Sequence, residues 1–219
     1  MKYKAILWDL DGTLLDTLQD LTDAVNHSLE KYGLPRRTKE EIRAIVGRGI
    51  RHLVENAVPA GTDPATTDGV FGEFCTYYAA HSSDHTSPYG GIPAMLGTLS
   101  RAGMKMAIVS NKADFAVADL AKQYFGEEIS LAVGARDGMP KKPAPDMVEY
   151  ALDRLGVTKG ESVYVGDSEV DVQTARNTGM DCLAVSWGFR SPETLREAGA
   201  EQIFATPEEL MNAILGPGQ

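Results

Sequence analysis

Two closely spaced carboxylates near the start of the chain have the residue types and spacing to carry out chemistry. Asp9 and Asp11 follow the apolar run Ala5–Trp8 directly, and this run predicts a buried strand. Gly12 permits a tight turn just beyond them. Two carboxylates held so close repel each other, which is tolerable if a divalent cation lies between them or if one keeps a proton.

Such a pair suits phosphoryl transfer from a phosphate ester. A carboxylate with an ordinary pKa of about 3.9 is ionised at neutral pH, so Asp9 needs no partner base to act as a nucleophile. Asp11 could then protonate the leaving alkoxide and later deprotonate the attacking water. The alternative is that Asp-Gly is simply a turn after a strand. The pair by itself leaves both interpretations open.

Composition restricts the possible partners. The chain has 219 residues, 43% of them hydrophobic and 24% charged, which is typical of a globular protein. A net charge of -10 argues against nucleic acid or an anionic membrane as partner, and it requires positive charge to be concentrated locally around an anionic substrate. Without a membrane-length apolar run or a signal peptide pattern, we expect a cytoplasmic protein in which Cys75 and Cys182 stay reduced.

The elements that must position these residues fall into two groups. From Asp16 to residue 86 the pattern predicts helices only, the first capped by Asp16 with Gln19 three positions later. Beyond Pro88, strands alternate with helices, which predicts a parallel sheet covered on both faces. The predicted strands there are 106–109, 129–133, 162–165, 182–185 and 202–205. The expected fold is thus an α/β, doubly wound parallel sheet (a Rossmann-like core, 1–15 and 87–219) with a small all-helical cap, 16–86, inserted after the first strand.

Polar side chains follow the predicted strands at the edge that holds Asp9. Ser110 and Asn111 come after strand 106–109, Asp167 comes after strand 162–165, and Lys142 lies in a proline-rich loop between them. In a parallel sheet these positions share one edge, where open α/β sheets bind their ligands.

Each of these residue types suits a phosphate site. Ser110 and the backbone amide of Asn111 can donate to phosphoryl oxygens, and Lys142 can offset the negative charge. Asp167 adds a third carboxylate, which gives the oxygen-rich shell that Mg²⁺ prefers. Asp171, one helical turn further on, could reach the same cluster or hold Lys142. Taken singly, each could instead be a helix cap, a solvated lysine or a surface carboxylate, but their occurrence together favours a site.

Four segments together resemble the four motifs of the haloacid dehalogenase superfamily, in order and spacing. They are Asp9-Leu10-Asp11-Gly12-Thr13, Ser110-Asn111-Lys112, Lys142-Pro143-Ala144-Pro145, and Gly166-Asp167 through Asp171. Within the superfamily the chain looks most like the phosphoglycolate phosphatase branch, whose helical cap is inserted directly after the first motif.

The resemblance implies a role for each residue. Asp9 would attack phosphorus and become a phosphoaspartate, while Asp11 would serve first as acid and then as base. Asp9, the backbone carbonyl of Asp11, and Asp167 would hold Mg²⁺. Ser110 and Lys142 would bind the transferring phosphoryl group.

We also expect roles at the site for four further residues. Thr13 and Asn111 are expected to contact the substrate, and Asp171 is expected to support the site without ligating the metal directly. Arg48, in a glycine-flanked loop of the helical insertion, is the best candidate to meet a substrate carboxylate, the alternative being a solvated surface arginine.

Several functions are compatible with this pattern. The favoured one is a Mg²⁺-dependent phosphatase, a monomer or homodimer acting on a small phosphorylated metabolite, with 2-phosphoglycolate as leading candidate. A sugar-phosphate mutase would usually have Gly-Val where this chain has Gly12-Thr13, and a pyrophosphatase is a further alternative on the same scaffold. A dehalogenase would do without Asp11 and the metal. A catalytically inactive binding module would usually have lost a nucleophile or a metal ligand, and none is lost here.

Overall fold

The chain folds as two compact units in a computed structural model, which describes residues 2–216. One unit comprises the chain up to Leu15 together with the chain from Pro88 onward, and the other is Asp16–Ser87. No helix among the described residues is long and apolar enough to span a bilayer.

A six-stranded parallel sheet forms the centre of the larger unit. The strands of the chain are β1 (Ala5–Trp8), β2 (Leu15–Asp16), β3 (Ser87–Pro88), β4 (Lys105–Ala113), β5 (Leu131–Ala135), β6 (Ser162–Gly166), β7 (Asp181–Val185) and β8 (Ile203–Phe204). The sheet has the order β5-β4-β1-β6-β7-β8, while β2 and β3 form a separate two-stranded sheet where the chain passes between the units. The prediction of a doubly wound parallel sheet is confirmed.

Helices cover both faces of this sheet because its central strands are apolar on both sides. In β1, Ile6 and Trp8 join one hydrophobic core with helices on one face of the sheet, whereas Ala5 and Leu7 join a second core with helices on the other face. Successive side chains of a strand point to opposite faces, so a strand buried on both faces reads as a continuous apolar run. The helices of this unit are α5 (Ile92–Arg101), α6 (Asp114–Phe125), α7 (Asp146–Leu155), α8 (Glu169–Thr178), α9 (Pro192–Glu197) and α10 (Pro207–Leu215).

The smaller unit is helical. Its helices are α1 (Leu18–Lys31), α2 (Lys39–Ile45), α3 (Ile50–Ala57) and α4 (Pro64–His81). The predicted capping of the first helix is wrong: α1 begins at Leu18 after Thr17, with no side-chain cap. Asp16 belongs to β2, and its carboxylate accepts a hydrogen bond from the Leu18 amide at 3.2 Å. Gln19 therefore does not complete a capping box.

The register of β1 brings the ends of three strands to the same level. Trp8 pairs with Ile108 of β4 on one side and with Val165 of β6 on the other. The amide of Asp9 donates to the Val165 carbonyl at 2.8 Å. The residues that follow these strands therefore meet at the carboxyl edge of the sheet.

Strand β4 is longer than the sequence predicts. It continues through Ala113, past the predicted end at Val109, because its pairing with β5 resumes at Ala113 after a bulge. The four steps from Val109 to Ala113 match only two steps of β5, from Val133 to Ala135. Such a bulge redirects side chains at the rim of a sheet. Ser110, Asn111 and Lys112 consequently belong to the strand and do not follow it.

Candidate active site

Lys142 is the buried centre of a charged cluster at the sheet edge. Its Nζ lies 2.9 Å from Asp9 Oδ1 and 2.8 Å from Asp171 Oδ1. It also donates to the hydroxyl of Tyr164 at 2.8 Å. An ammonium group has three donors, so each of them has a partner here. Lys142 thereby links the nucleophile candidate at the end of β1 to the first turn of α8.

The loop that carries Lys142 is held by two side-chain amides. Asn111 Nδ2 donates to the Lys142 carbonyl at 2.9 Å, and Asn177 Nδ2 donates to the Pro143 carbonyl at 2.8 Å. These bonds tie the loop to β4 and α8, and proline restricts its backbone further. The side chain of Asn111 thus fixes the position of Lys142, while its predicted contact with a substrate stays a prediction.

Burial and like charges dominate the electrostatics of the cluster. Burial and, after it, the charge of Asp171 raise the pKa of Asp9, Lys142 lowers it, and the net result is a pKa of about 7. Burial, followed by Asp171 and Asp9, raises the pKa of Asp167 well above its usual range. Burial by itself would lower the pKa of Lys142, but the carboxylates of Asp171 and Asp9 raise it well above the ordinary lysine value. The cluster therefore holds more negative charge than its lysine offsets, which favours a bound cation.

Asp167 is held by one hydrogen bond on each carboxylate oxygen. Thr13 Oγ1 donates to Oδ1 at 3.0 Å, and the amide of Phe189 donates to Oδ2 at 2.7 Å. Each oxygen keeps a lone pair for another partner. The hydroxyl of Thr13 is thus directed at Asp167, and its amide donates within the turn to Leu10. We predicted that Thr13 binds the substrate. In this structure its two hydrogen-bond donors, the hydroxyl and the amide, both donate to groups of the protein.

A loop after β7 supports the same turn and was missed by the sequence analysis. Trp187 Nε1 donates to the Thr13 carbonyl at 3.0 Å. A Cβ at Gly188 would overlap the Gly12 carbonyl oxygen and the Asp167 carboxylate, so only glycine allows this close approach. One sequence feature could have identified this loop: it directly follows a predicted strand that ends at the same sheet edge.

Asp11 is paired with a lysine that the sequence analysis left without a role. Lys112 Nζ lies 2.9 Å from Asp11 Oδ1, and the side chains are 2% and 15% exposed. Ser110, also buried, accepts from the amide of Lys112 at 3.3 Å through its Oγ. The structure thus places Asp11 and Ser110 around one lysine from β4.

Three buried carboxylates at the sheet edge lie close enough together to bind a divalent cation. Asp9, Asp167 and Asp171 offer oxygens that all lie within 4.8 Å of one another, and all three residues are buried. An all-oxygen set of this kind suits Mg²⁺. Asp171 already accepts from Lys142 through Oδ1 and from Ser168 through Oδ2, which favours Asp9 and Asp167 as the ligands.

Arg48 belongs to the helical unit. It is exposed in the turn between α2 and α3, flanked by Gly47 and Gly49, whose φ angles are 120° and 89°. Arg51, on α3, forms ion pairs with Glu55 and Asp68 at 2.7 Å. Recognition of a substrate by Arg48 stays a prediction.

Comparison with known proteins relates this geometry to enzymes. The family model described as haloacid dehalogenase-like hydrolase matches residues 6–185. A phosphoglycolate phosphatase of Xanthomonas campestris pv. campestris is 35% identical over 189 residues, 85% of each chain. An N-acetylmuramic acid 6-phosphate phosphatase of Pseudomonas aeruginosa is 30% identical over 216 residues, 98% of this chain and 96% of the relative.

The fold also matches a solved structure over nearly its whole length. A protein from Lactobacillus delbrueckii subsp. bulgaricus, provisionally assigned as a phosphoglycolate phosphatase, superposes with a TM-score of 0.93 at 39% identity. The match covers 99% of this chain and 100% of the other.

Proposed function

Since the chain belongs to the haloacid dehalogenase-like hydrolase family and is a phosphatase, we propose that it hydrolyses phosphate monoesters through a phosphoaspartate formed on Asp9. The observation that carries this proposal is the position of Asp9 at the end of β1, with one carboxylate oxygen on Lys142. That contact favours the ionised, nucleophilic form. It also fixes the direction of attack.

The proposed reaction has two steps at phosphorus. The free oxygen of Asp9 attacks phosphorus, the ester bond breaks, and the leaving alkoxide takes a proton from Asp11. Asp11 then takes a proton from water, which attacks the phosphorus of the phosphoaspartate and releases inorganic phosphate and free Asp9. One residue can serve in both directions because it ends each turnover in the protonation state in which it began.

Magnesium is part of the proposal because the carboxylates present fit it. Asp9, Asp167 and the backbone carbonyl of Asp11 would hold the ion, supported by Thr13 and Phe189 through their bonds to Asp167. When bound, Mg²⁺ neutralises phosphoryl oxygens and so lowers the repulsion between the phosphate and the carboxylates. Lys142 and Ser110 would bind the remaining phosphoryl oxygens.

The substrate we propose is a phosphate monoester that also carries a carboxylate, with 2-phosphoglycolate as the first candidate. Two relatives are named for substrates that are phosphate esters of acids. They are a phosphoglycolate phosphatase and an N-acetylmuramic acid 6-phosphate phosphatase. The net charge of the chain is -10. A substrate that carries both a phosphate and a carboxylate therefore needs a local positive charge in order to bind. Arg48 is the proposed contact for the carboxylate.

A substrate panel tests the reaction class. Purified protein should release phosphate in Mg²⁺ from 2-phosphoglycolate, N-acetylmuramic acid 6-phosphate, glucose 6-phosphate, a nucleotide or pyrophosphate, and EDTA should stop the release. Asp9→Asn should abolish turnover, whereas Asp153→Asn, an exposed carboxylate on α7, should leave it unchanged. Retention of activity by Asp9→Asn would contradict the assignment of the nucleophile.

The role of Arg48 has its own measurement. Arg48→Ala should raise KM for 2-phosphoglycolate by about tenfold or more, the value of a charged hydrogen bond, and leave KM for p-nitrophenyl phosphate unchanged. Arg36→Ala is the matched control, since Arg36 is an exposed arginine of the same unit that pairs with Glu30. An equal effect on both esters would contradict recognition of the carboxylate.

A further inference from the structure

We propose that Lys112 is a positioning residue for Asp11, an inference that rests on the proposed function. Lys112 Nζ lies 2.9 Å from Asp11 Oδ1, across 101 positions of sequence. The pair is a direct contact between β4 and the acid and base of the proposed reaction. By holding one oxygen of Asp11, Lys112 directs the other oxygen toward the ester oxygen and, later, toward water.

The ion-pair partner of Lys112 is the basis for placing its action on Asp11. The Lys112 side chain is 2% exposed, while that of Asp11 is 15% exposed. The carboxylate is thus the more accessible member of the pair. The partner, and not burial, separates Lys112 from Lys142, which contacts the nucleophile candidate Asp9.

Both partners of the pair are fixed in their backbone. The amide of Lys112 donates to Ser110 Oγ, and the preceding residue, Asn111, is bonded to the Lys142 carbonyl. On the other side, the turn that follows Asp11 closes through a hydrogen bond from the Gly12 amide to the Leu15 carbonyl at 2.8 Å. A carboxylate on a fixed backbone still rotates about two side-chain torsions, and the bond from Lys112 restricts that rotation.

The energetic consequence depends on the leaving group. General acid catalysis contributes about 10²–10⁴-fold, and a misplacement of about 1 Å can cost 10²-fold. An acidic alcohol leaves as its anion and needs no proton. Hydrolysis of its ester therefore gains little from the general acid. Loss of Lys112 should therefore affect esters of weakly acidic alcohols most.

The experiment measures kcat/KM in Mg²⁺ for p-nitrophenyl, phenyl and benzyl phosphate, which are similar in size but differ in the acidity of the leaving alcohol. Lys112→Met should lose about 10²-fold on benzyl phosphate and less than about threefold on p-nitrophenyl phosphate. In the Asp11→Asn background, the same change should cost less than about threefold on every ester, because residues acting as a unit are not additive. Lys105→Met is the matched control, because Lys105 lies at the opposite end of β4 and donates to the Leu155 carbonyl.

The other possible outcomes contradict either the role of Lys112 or the proposed function. Equal losses on all three esters, or losses that multiply with those of Asp11→Asn, would show that Lys112 does not act through Asp11. If Lys112→Met fails to fold, Lys112→Leu, which likewise removes the donor and the charge, is judged by the same dependence on the leaving group. If the wild-type protein hydrolyses none of the esters, the proposed function fails, whereas wild-type turnover with unchanged leaving-group dependence in the variant refutes Lys112 alone.

Discussion

Replacing Lys142 with methionine tests whether one lysine neutralises the carboxylates of the site. Methionine keeps a similar length but removes the charge. The change leaves Asp9 and Asp171, whose side chains are 11% and 0% exposed, without their shared cation. Removing one partner of a buried ion pair costs about 3–5 kcal/mol. In a chain of this size, 1 kcal/mol corresponds to about 2–4 °C, so the thermal midpoint should fall by about 6–20 °C.

The assay is thermal unfolding followed by circular dichroism in EDTA at pH 8. Lys105→Met, which removes a lysine elsewhere in the same unit, should stay within about 1 kcal/mol of the wild type. Lys142→Met/Asp171→Asn should recover much of the loss, because one of the two buried carboxylates is then neutral. At pH 6 the loss should be smaller, since carboxylates without a cation take up protons more readily.

One pattern of results would refute this account of the cluster. If Lys142→Met unfolds within about 1 kcal/mol of the wild type at pH 8, and Asp171→Asn brings no recovery, the contacts of Lys142 do not balance the buried charge. The proposed role of Lys142 in orienting Asp9 would then lose its physical basis.

Two further predictions concern the same sheet edge. Burial raises the pKa of Asp9 to about 7, so between the unfolded value of about 3.9 and pH 7 the folded protein binds more protons and loses stability as the pH rises. Urea unfolding in EDTA should therefore find Asp9→Asn more stable than the wild type by about 1–3 kcal/mol at pH 8 and nearly equal to it at pH 4.5; an equal difference at both pH values would contradict this. Gly188→Ala should cost about 1–3 kcal/mol and weaken Mg²⁺ binding in calorimetry, because its Cβ would overlap the Gly12 carbonyl and Asp167, whereas Gly160→Ala, with open space at its Cβ, should do neither. Unchanged Mg²⁺ affinity in Gly188→Ala would show that the loop does not support the metal ligand.

Local patterns were sufficient for the elements and for the place of the nucleophile candidate. An unbroken apolar run specified β1 as a strand buried on both faces, and the residue after it, Asp9, lies at the carboxyl edge. The strands near Asp167 and Lys142 followed in the same way from alternating helix and strand patterns. Such patterns are reliable because side-chain periodicity is a property of the local backbone.

Other features had no local signal. Tyr164 appears in the sequence as one more apolar strand residue, yet its hydroxyl accepts from Lys142. The bulge that extends β4 past Val109 arises from pairing with β5, a segment that single-strand periodicity does not describe. The wrongly assigned cap at Asp16 has the same origin, since its pairing partner is the distant segment Ser87–Pro88.

By itself, the sequence determined the parallel α/β sheet, the helical insertion and the sheet edge on which Asp9, Lys142 and Asp167 stand. Only the tertiary structure decided which charge meets which. Lys112 is paired with Asp11, and Trp187 donates to the Thr13 carbonyl across 174 positions. The physical reason is that periodicity fixes where a strand ends, whereas strand register and a bulge fix, to within a hydrogen-bond length, where the next side chain points.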